Sequence, residues 1–336
     1  MSRVSSKGSS STFVLDGWFR QGNFGDAAFL KSWKLVVEGQ GLGYEILEDL
    51  SAGRDGRRRK ILQFPVLLRR AFSGADYVRL GGDLIHEKGD RSIISLAMKV
   101  LIFRALGRRT LLLSVGIDGQ RVTKSRWALK VLIPASDIVV RDQRSLDFLA
   151  EFNPRSIKLL PDIASIHFSE LNSLFSDERT ETSWVNPYVP KLRDGSKMQN
   201  IQRLVDERLR NGAEIIALST ADLPTQLESC SDSLLLSTDD EVTHFINSPG
   251  DVLAVRLHLA ILCLSLGRRF QVVNYHPKVR AYLDTWALNA PDLVLEPHEQ
   301  FDGGVVPQTL RTFAPGQLKR EYLEVISPGK FPAHGN

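Results

Sequence analysis

The stretch Asp251-Val-Leu-Ala-Val-Arg256-Leu257-His258, continued by the apolar run Leu259–Leu266, Gly267 and then Gln271-Val-Val-Asn274-Tyr-His276-Pro-Lys278-Val-Arg280, decides the fold. Its two short β-branched segments read as strands. The run between them is apolar enough to be a helix buried against a sheet, and Gly267 is a C-terminal stop for it. Strand, helix and strand follow one another with almost no loop. Arg256 and His258 then fall where strand gives way to helix, and Lys278 falls just past the next strand. In a parallel α/β sheet the carboxyl ends of strands are where ligands bind. Two cations and an imidazole beside the open N–H groups of a helix start suit a small anion carrying several charges.

Working outward, the same alternation recurs on the N-terminal side. Thr12–Leu15 reads as a strand running into Gly22-Asn23-Phe24-Gly25-Asp26, with a helix from about Ala27 to Gln40. The spacing is neither that of a dinucleotide fingerprint nor that of a P-loop, and it favours a tight strand-to-helix turn that needs glycine for packing. Tyr44–Leu50 is a second strand, and the basic run Arg54–Lys60 reads as a solvated loop. Its sharper reading is a patch for anionic lipid head groups or a phosphorylated carrier. Asp76–Leu80 is a strand ending in Gly81-Gly82-Asp83, where backbone can approach a ligand closely. A helix over Ser92–Leu106, the apolar strand Arg109–Ser114, a helix over Lys124–Ile133 and the strand Asp137–Val140 follow, and the last ends in Arg141-Asp142. Ile157–Leu160 with Pro161-Asp162 closes the first half. This pattern predicts a doubly wound sheet.

Phe168–Lys197 is less regular, and the domain boundary is placed there. The expected segments are a disordered tail over 1–12, an N-terminal domain over 13–175, a C-terminal domain over 176–300 and a C-terminal tail over 301–336. A helix over Ala221–Cys230 and another near Gln317–Val325 are also expected.

The chain has 336 residues, enough for two domains, and a formal net charge of +4. That charge is compatible with acidic substrates or an anionic membrane surface and does not demand nucleic acid. Aromatic residues are not interleaved with the basic run as a single-strand groove would need. The cysteines are Cys230 and Cys263, too few for a disulfide or zinc framework, and Cys263 reads as a buried free thiol. No run reaches the length of a membrane span, and the Ser-rich start has no apolar core. The expectation is a cytoplasmic protein, with peripheral attachment at the inner face of a membrane left open.

Two such sheets facing a cleft would bring Arg141 from the first half toward Arg256 and Lys278 from the second. Three cations suit a ligand with both a phosphate and a carboxylate. His258 is the natural proton carrier, because imidazole titrates near neutrality. Asp83, Asp142 and Asp162 are scattered, so no metal cradle is expected, and each reads as a capping or structural carboxylate. No Gly-x-Ser-x-Gly elbow is present, which argues against serine hydrolysis.

These motifs together resemble the polysaccharide pyruvyl transferases. The resemblance runs over about residues 13–285. It is carried by Gly22–Asp26, Gly81-Gly82, Val140-Arg141-Asp142 with Ser145, Pro161-Asp162, and above all Val255-Arg-Leu-His258 followed by Asn274-Tyr-His-Pro-Lys278-Val279. Asp83 and Ala27 depart from the family's usual residues. The resemblance implies two Rossmann-like domains facing a cleft, glycosyltransferase B-like. It implies transfer of a pyruvyl group from phosphoenolpyruvate to a sugar of a cell-surface polysaccharide or its precursor, with a ketal formed and phosphate released. Its catalytic residues fall on Arg141, His258 and Lys278. Donor binding falls on Arg256, Asn23, Asp26, Gly81 and Gly82. It implies no metal or cofactor beyond the donor, and a sugar acceptor that a lipid carrier can bear. Two readings stand beside it: a nucleotide-sugar glycosyltransferase of the same fold, for which no ribose-binding carboxylate is evident, and an inactive binding subunit of polysaccharide assembly.

Overall fold

The computed structural model describes residues 12–17, 19, 23–47, 56–82, 84, 91–117, 125–171, 183–190, 194–222, 233–248, 250–301, 303–309, 313 and 316–328. Among them, the strands form two six-stranded sheets in which every strand pairing is parallel. The fold is α/β and two-domain, Rossmann-like and glycosyltransferase B-like. The chain divides into two compact units. One takes Met1–Trp18, Phe29–Ile163 and Gly316–Asn336; the other takes Phe19–Ala28 and Ala164–Pro315. The second unit therefore includes the Asn23–Asp26 turn, and the segment after 300 is shared between the two.

In the first unit the strands are β1 (Thr12–Asp16), β2 (Gly43–Ile46), β3 (Asp76–Leu80), β4 (Thr110–Val115), β5 (Asp137–Val140) and β6 (Ser156–Leu159). They lie in the order β2-β1-β3-β4-β5-β6. The order reverses between β1 and β3, so the crevice beyond their carboxyl ends is this sheet's expected ligand position. Helix α1 (Phe24–Val37) follows β1. The later crossovers are α2 (Gly56–Phe72), α3 (Arg91–Ala105), α4 (Arg126–Leu132) and α5 (Gln143–Ala150). Leu67, Phe103, Leu129 and Leu149, one from each of α2 to α5, share a core with Val14, Tyr77, Leu112 and Ile138 of the sheet. These four helices accordingly cover one face of the sheet, as right-handed crossovers running in one direction require.

Helix α2 corrects the loop reading of the basic run: 56–60 are its first residues, although the side chains of 54–60 lie outside the described residues. Pro65 lies inside this helix, where a proline removes a backbone hydrogen bond. Pro65 is exposed while Leu67 and Ala71 are buried, so the break in the hydrogen-bond ladder faces water and the apolar spacing prevails. Helix α3 stops at Gly107, which takes φ 71°, as its position in the sequence predicts.

The second unit continues with α6 (Ala164–Leu171), β7 (Ser183–Val185), α7 (Gly195–Arg210), β8 (Glu214–Ala217), β9 (Ser233–Leu235), α8 (Asp239–Asn247), β10 (Asp251–Ala254), α9 (Leu257–Leu266), β11 (Phe270–Val273), α10 (Pro277–Trp286), α11 (Ala290–Leu293) and β12 (Val294–Leu295). The sheet order is β12-β11-β10-β7-β8-β9. Counted from β7, this is the doubly wound order 3-2-1-4-5-6, with its reversal between β7 and β10. β7 falls inside the stretch that looks irregular in the sequence. It is three residues long, too short to show a period, yet it pairs with both β8 and β10. Of the helix expected over Ala221–Cys230 only 221 and 222 are described, and they lie in a 3-10 turn at Thr220–Asp222; 223–230 lie outside the described residues.

Helix α9 is buried nearly throughout and ends at Gly267 in the left-handed region, with φ 68°. Cys263 is a buried free thiol, and burial pushes it up to about 12. After β12 the chain returns to the first unit as α12 (Gln317–Ile326). There the Tyr322 hydroxyl donates to the carbonyl of Pro161 at 2.9 Å. The Arg109 guanidinium donates to the carbonyls of Val325 and Ile326, meeting the open end of the helix. No helix among the described residues is long and apolar enough to cross a membrane.

Candidate functional site

The carboxyl ends of β7, β10 and β11 hold the second unit's polar residues. Asn186 follows β7 and is fully buried. Its side-chain amide donates to the carbonyl of Ile216 at 2.9 Å and to Asp222 at 3.4 Å, while its oxygen accepts the backbone N–H of Arg256 at 3.2 Å. Asn186 therefore ties the end of β7 to the start of α9 across the reversal point.

Arg256 is the N-cap residue of α9. Its guanidinium donates through Nε to Oδ1 of Asp222 at 2.7 Å, and Nη2 reaches the same oxygen. It also stacks on Tyr188, with Cζ 4.0 Å from the ring centroid. Asp222 is itself held by the N–H of Leu218 and the hydroxyl of Ser219. The cation expected to meet a donor thus already holds a buried carboxylate and an aromatic face.

His258 occupies the first turn of α9. The residue lying against it comes from far away in the sequence. A Cβ built on Gly25 would stand 2.1 Å from Nδ1 of His258 and 2.3 Å from its Cγ. No side chain fits there, so the glycine is required by the imidazole. The turn is fixed around it: the carboxamide oxygen of Asn23 accepts the Gly25 N–H at 3.1 Å, and the Asn23 carbonyl accepts the Ala27 N–H. The Phe24 N–H donates to the carbonyl of Leu218, and the Phe24 ring stacks on Phe168 at 5.5 Å. Asn23 caps α1, and Asp26 lies in its first turn, where a carboxylate favours the helix dipole. The reading of this turn as one that needs glycine for packing holds at Gly25, and the group packed there is His258.

Beyond β11, His276 is the N-cap of α10, and its Nδ1 accepts the Lys278 N–H at 3.2 Å. Pro277 takes the first helical position, where its missing N–H costs nothing. The Lys278 ammonium lies 5.8 Å from the Tyr275 ring, and Tyr275 meets Tyr188 edge-on at 6.3 Å. Two tyrosines thus stand between the two cations. Glu296, after β12, accepts the Asn274 side chain at 2.7 Å.

In the first unit, Arg141 follows β5 and is buried. Its Nη1 donates to Asp162 at 3.3 Å, so two motif pieces well apart in the sequence form one ion pair. Asp142 caps α5 by accepting the Ser145 N–H at 2.8 Å, and the Ser145 hydroxyl accepts the N–H of Ile117. Both carboxylates are structural, as expected of them; Asp83 lies outside the described residues. Gly81 takes φ 69°, and a Cβ there would stand 2.4 Å from the Phe29 ring. Gly82 takes φ 84° with open space around it. Gly81 therefore serves α1 packing, and Gly82 is the glycine beside which there is room.

At the end of β1, Asp16 gathers the Tyr77 hydroxyl, Lys99 at 2.7 Å and Arg79 at 3.4 Å. Burial alone would raise its carboxyl, but the two cations outweigh it and hold it down at about 2. Among the described residues no group of His, Cys, Asp and Glu has the makeup of a metal site.

The structure thus gathers Asn23, Gly25, Asp26, Arg256, His258 and Lys278 in one unit and places Arg141, Gly81 and Gly82 in the other. The sequence reading passed over Asn186, Tyr188, Asp222 and Glu296. Asn186 and Tyr188 follow a strand too short to be seen, and Asp222 opens a stretch read as helix.

A family described as polysaccharide pyruvyl transferase has a sequence model that matches residues 23–277, well over half of the chain. The match opens at Asn23 and closes on Pro277, so it takes in the glycine turn, Arg141, Arg256 and α9 and stops one residue short of Lys278. No curated protein matches the chain.

Proposed function

The chain belongs to the polysaccharide pyruvyl transferase family and is a transferase, and from that premise we propose that it moves a pyruvyl group from phosphoenolpyruvate to a sugar of a cell-surface polysaccharide precursor. The observation that carries the reading is His258 seated against Gly25. It joins the glycine turn and the Arg-Leu-His motif into one constellation at the carboxyl ends of a doubly wound sheet, where ligands bind.

In this reading Lys278 meets an anionic group of the donor, and His258 moves the proton. The reaction needs a proton on the donor's methylene carbon, attack of a sugar hydroxyl on the carbon bearing the phosphate, and departure of phosphate with the C–O electron pair. A second hydroxyl then closes the ketal. Two hydroxyl protons are released; one ends on the new methyl group and the other leaves with phosphate. An imidazole packed against backbone, with no methyl group to displace it, is held in one orientation, and orientation is worth orders of magnitude in rate. Arg256 acts through Asp222 and Tyr188 as a positioning residue, fixing the start of α9 and hence His258. Arg141 is assigned to the donor by the resemblance, and its pairing with Asp162 gives that guanidinium a fixed orientation.

The experiment is phosphate release from phosphoenolpyruvate in the presence of lipid-extracted polysaccharide precursor. Wild type should release phosphate and add one pyruvyl mass to the acceptor. His258→Ala should release none above background; turnover near wild type would overturn the role given to His258.

A further inference from the structure

The strongest feature outside this site is the outer surface of α2, α3 and α4 in the first unit. The three helices lie side by side on one face of the sheet and bury their inner sides in one core. Their outer sides do not look like ordinary solvated surface. Leu68 and Phe72 of α2 are 43% and 66% exposed, Met98 and Leu101 of α3 are each 47% exposed, and Trp127 of α4 is 55% exposed. Single exposed apolar side chains need no explanation, but five on three neighbouring helices do. Met98 and Leu101 follow each other at helical spacing, so the apolar stripe runs along the outside of α3.

Charge gives the second, independent observation. None of the three helices carries a single Asp or Glu. Arg69, Arg104 and Lys130 are exposed on the same helices. In a chain whose acidic and basic residues nearly balance, with 39 and 43 respectively, these three helices carry charge of one sign only, and the carboxylates that meet them, Glu45 at Arg70 and Glu151 at Arg126, come from neighbouring elements. A second copy of the chain would set this basic face against itself, which like charges oppose. An anionic surface would meet it with favourable charge and take up the apolar side chains. Trp and Phe among Leu and Met, flanked by Arg and Lys, have the chemistry of the water–bilayer interface.

We propose that the α2–α3–α4 face docks the protein peripherally on an anionic lipid bilayer, with Phe72, Leu101 and Trp127 entering the head-group layer and Arg69, Arg104 and Lys130 meeting acidic head groups. The inference does not depend on the identity of the donor.

The test is co-sedimentation of the full chain with vesicles of equal parts phosphatidylglycerol and phosphatidylcholine, against vesicles of phosphatidylcholine alone. Binding should occur on the anionic vesicles, be weak on the neutral ones, and fall as salt is raised. Arg104→Glu with Lys130→Glu should lower the partition at least about tenfold, since each basic residue near such a surface contributes on the order of 1 kcal/mol. Phe72→Ser with Leu101→Ser should lower it as well. Tryptophan emission should shift to the blue on binding in wild type and lose that shift in Trp127→Phe. All these side chains are exposed, and an unchanged circular dichroism spectrum checks each fold. Equal binding to both vesicle types, or variants that bind as wild type does, would overturn the proposal. So would a concentration-dependent dimer that the same variants dissolve, in protein that binds no vesicle.

Discussion

The imidazole of His258 lies so close against Gly25 that a methyl group there would stand 2.1 Å from Nδ1. Gly25→Ala is therefore expected to displace His258 without removing it. Overpacking of this kind costs about 1–3 kcal/mol of stability, and the misplaced imidazole should lose on the order of a hundredfold in turnover. Gly107→Ala, at the end of α3, is the control: open space surrounds it, and only its positive φ is penalised, by about 1–2 kcal/mol. Turnover of the two variants compared at equal folded fraction checks this. Equal activities would separate the glycine from the site.

Arg256 and Asp222 should behave as a structural pair. Asp222 is buried, and Arg256 donates to it through two nitrogens. Asp222→Ala leaves the guanidinium without its carboxylate and is expected to cost about 3 kcal/mol. A double-mutant cycle with Arg256→Ala, followed by urea unfolding, should give a coupling above about 1 kcal/mol. A coupling near zero would mean that Arg256 does not depend on Asp222.

Asp16 should give the protein an acid-sensitive increment of stability. Its folded value of about 2 lies below its ordinary value of 3.8. A depressed carboxyl stabilises fully above its unfolded value and loses that contribution as pH falls through the folded one. Wild type should therefore exceed Asp16→Asn by at least about 2 kcal/mol at neutral pH, and the gap should narrow between about pH 4 and pH 2. Unfolding curves across that range measure it. A gap independent of pH would contradict the ion-pair account.

Cys263 should be chemically silent. Burial pushes its thiol up to about 12, so no thiolate forms at ordinary pH. In Cys230→Ser, the native protein should release no colour from a thiol-reactive disulfide, and unfolding should release one equivalent. Prompt reaction in the native state would mean that α9 opens easily.

The sequence makes β10, α9 and β11 legible almost to the residue, because the two strands lie inside a parallel sheet, the helix between them is buried, and all three read as apolar runs. It hides β7, whose Ser183-Trp184-Val185 is too brief for any period although the strand is central to its sheet. It hides α2 behind Pro65 and a basic run, because which face of a helix a proline takes is a tertiary fact. The candidate site divides in the same way. Arg256, His258 and Lys278 announce themselves by chemical type at strand ends. Asp222 and Asn186 do not, because a carboxylate or amide is common anywhere, and what distinguishes these two is the partner each one meets. Gly25 shows itself as a turn glycine, while the imidazole that needs it lies more than two hundred residues away along the chain.

The most direct test of the donor is calorimetric titration of the purified chain with phosphoenolpyruvate and, separately, with a panel of nucleotide-sugars. Phosphoenolpyruvate should bind saturably, Lys278→Ala should weaken it at least about tenfold, as loss of a charge-assisted contact does, and the nucleotide-sugars should give no saturable heat. Saturable binding of a nucleotide-sugar, with none of phosphoenolpyruvate, would contradict the account.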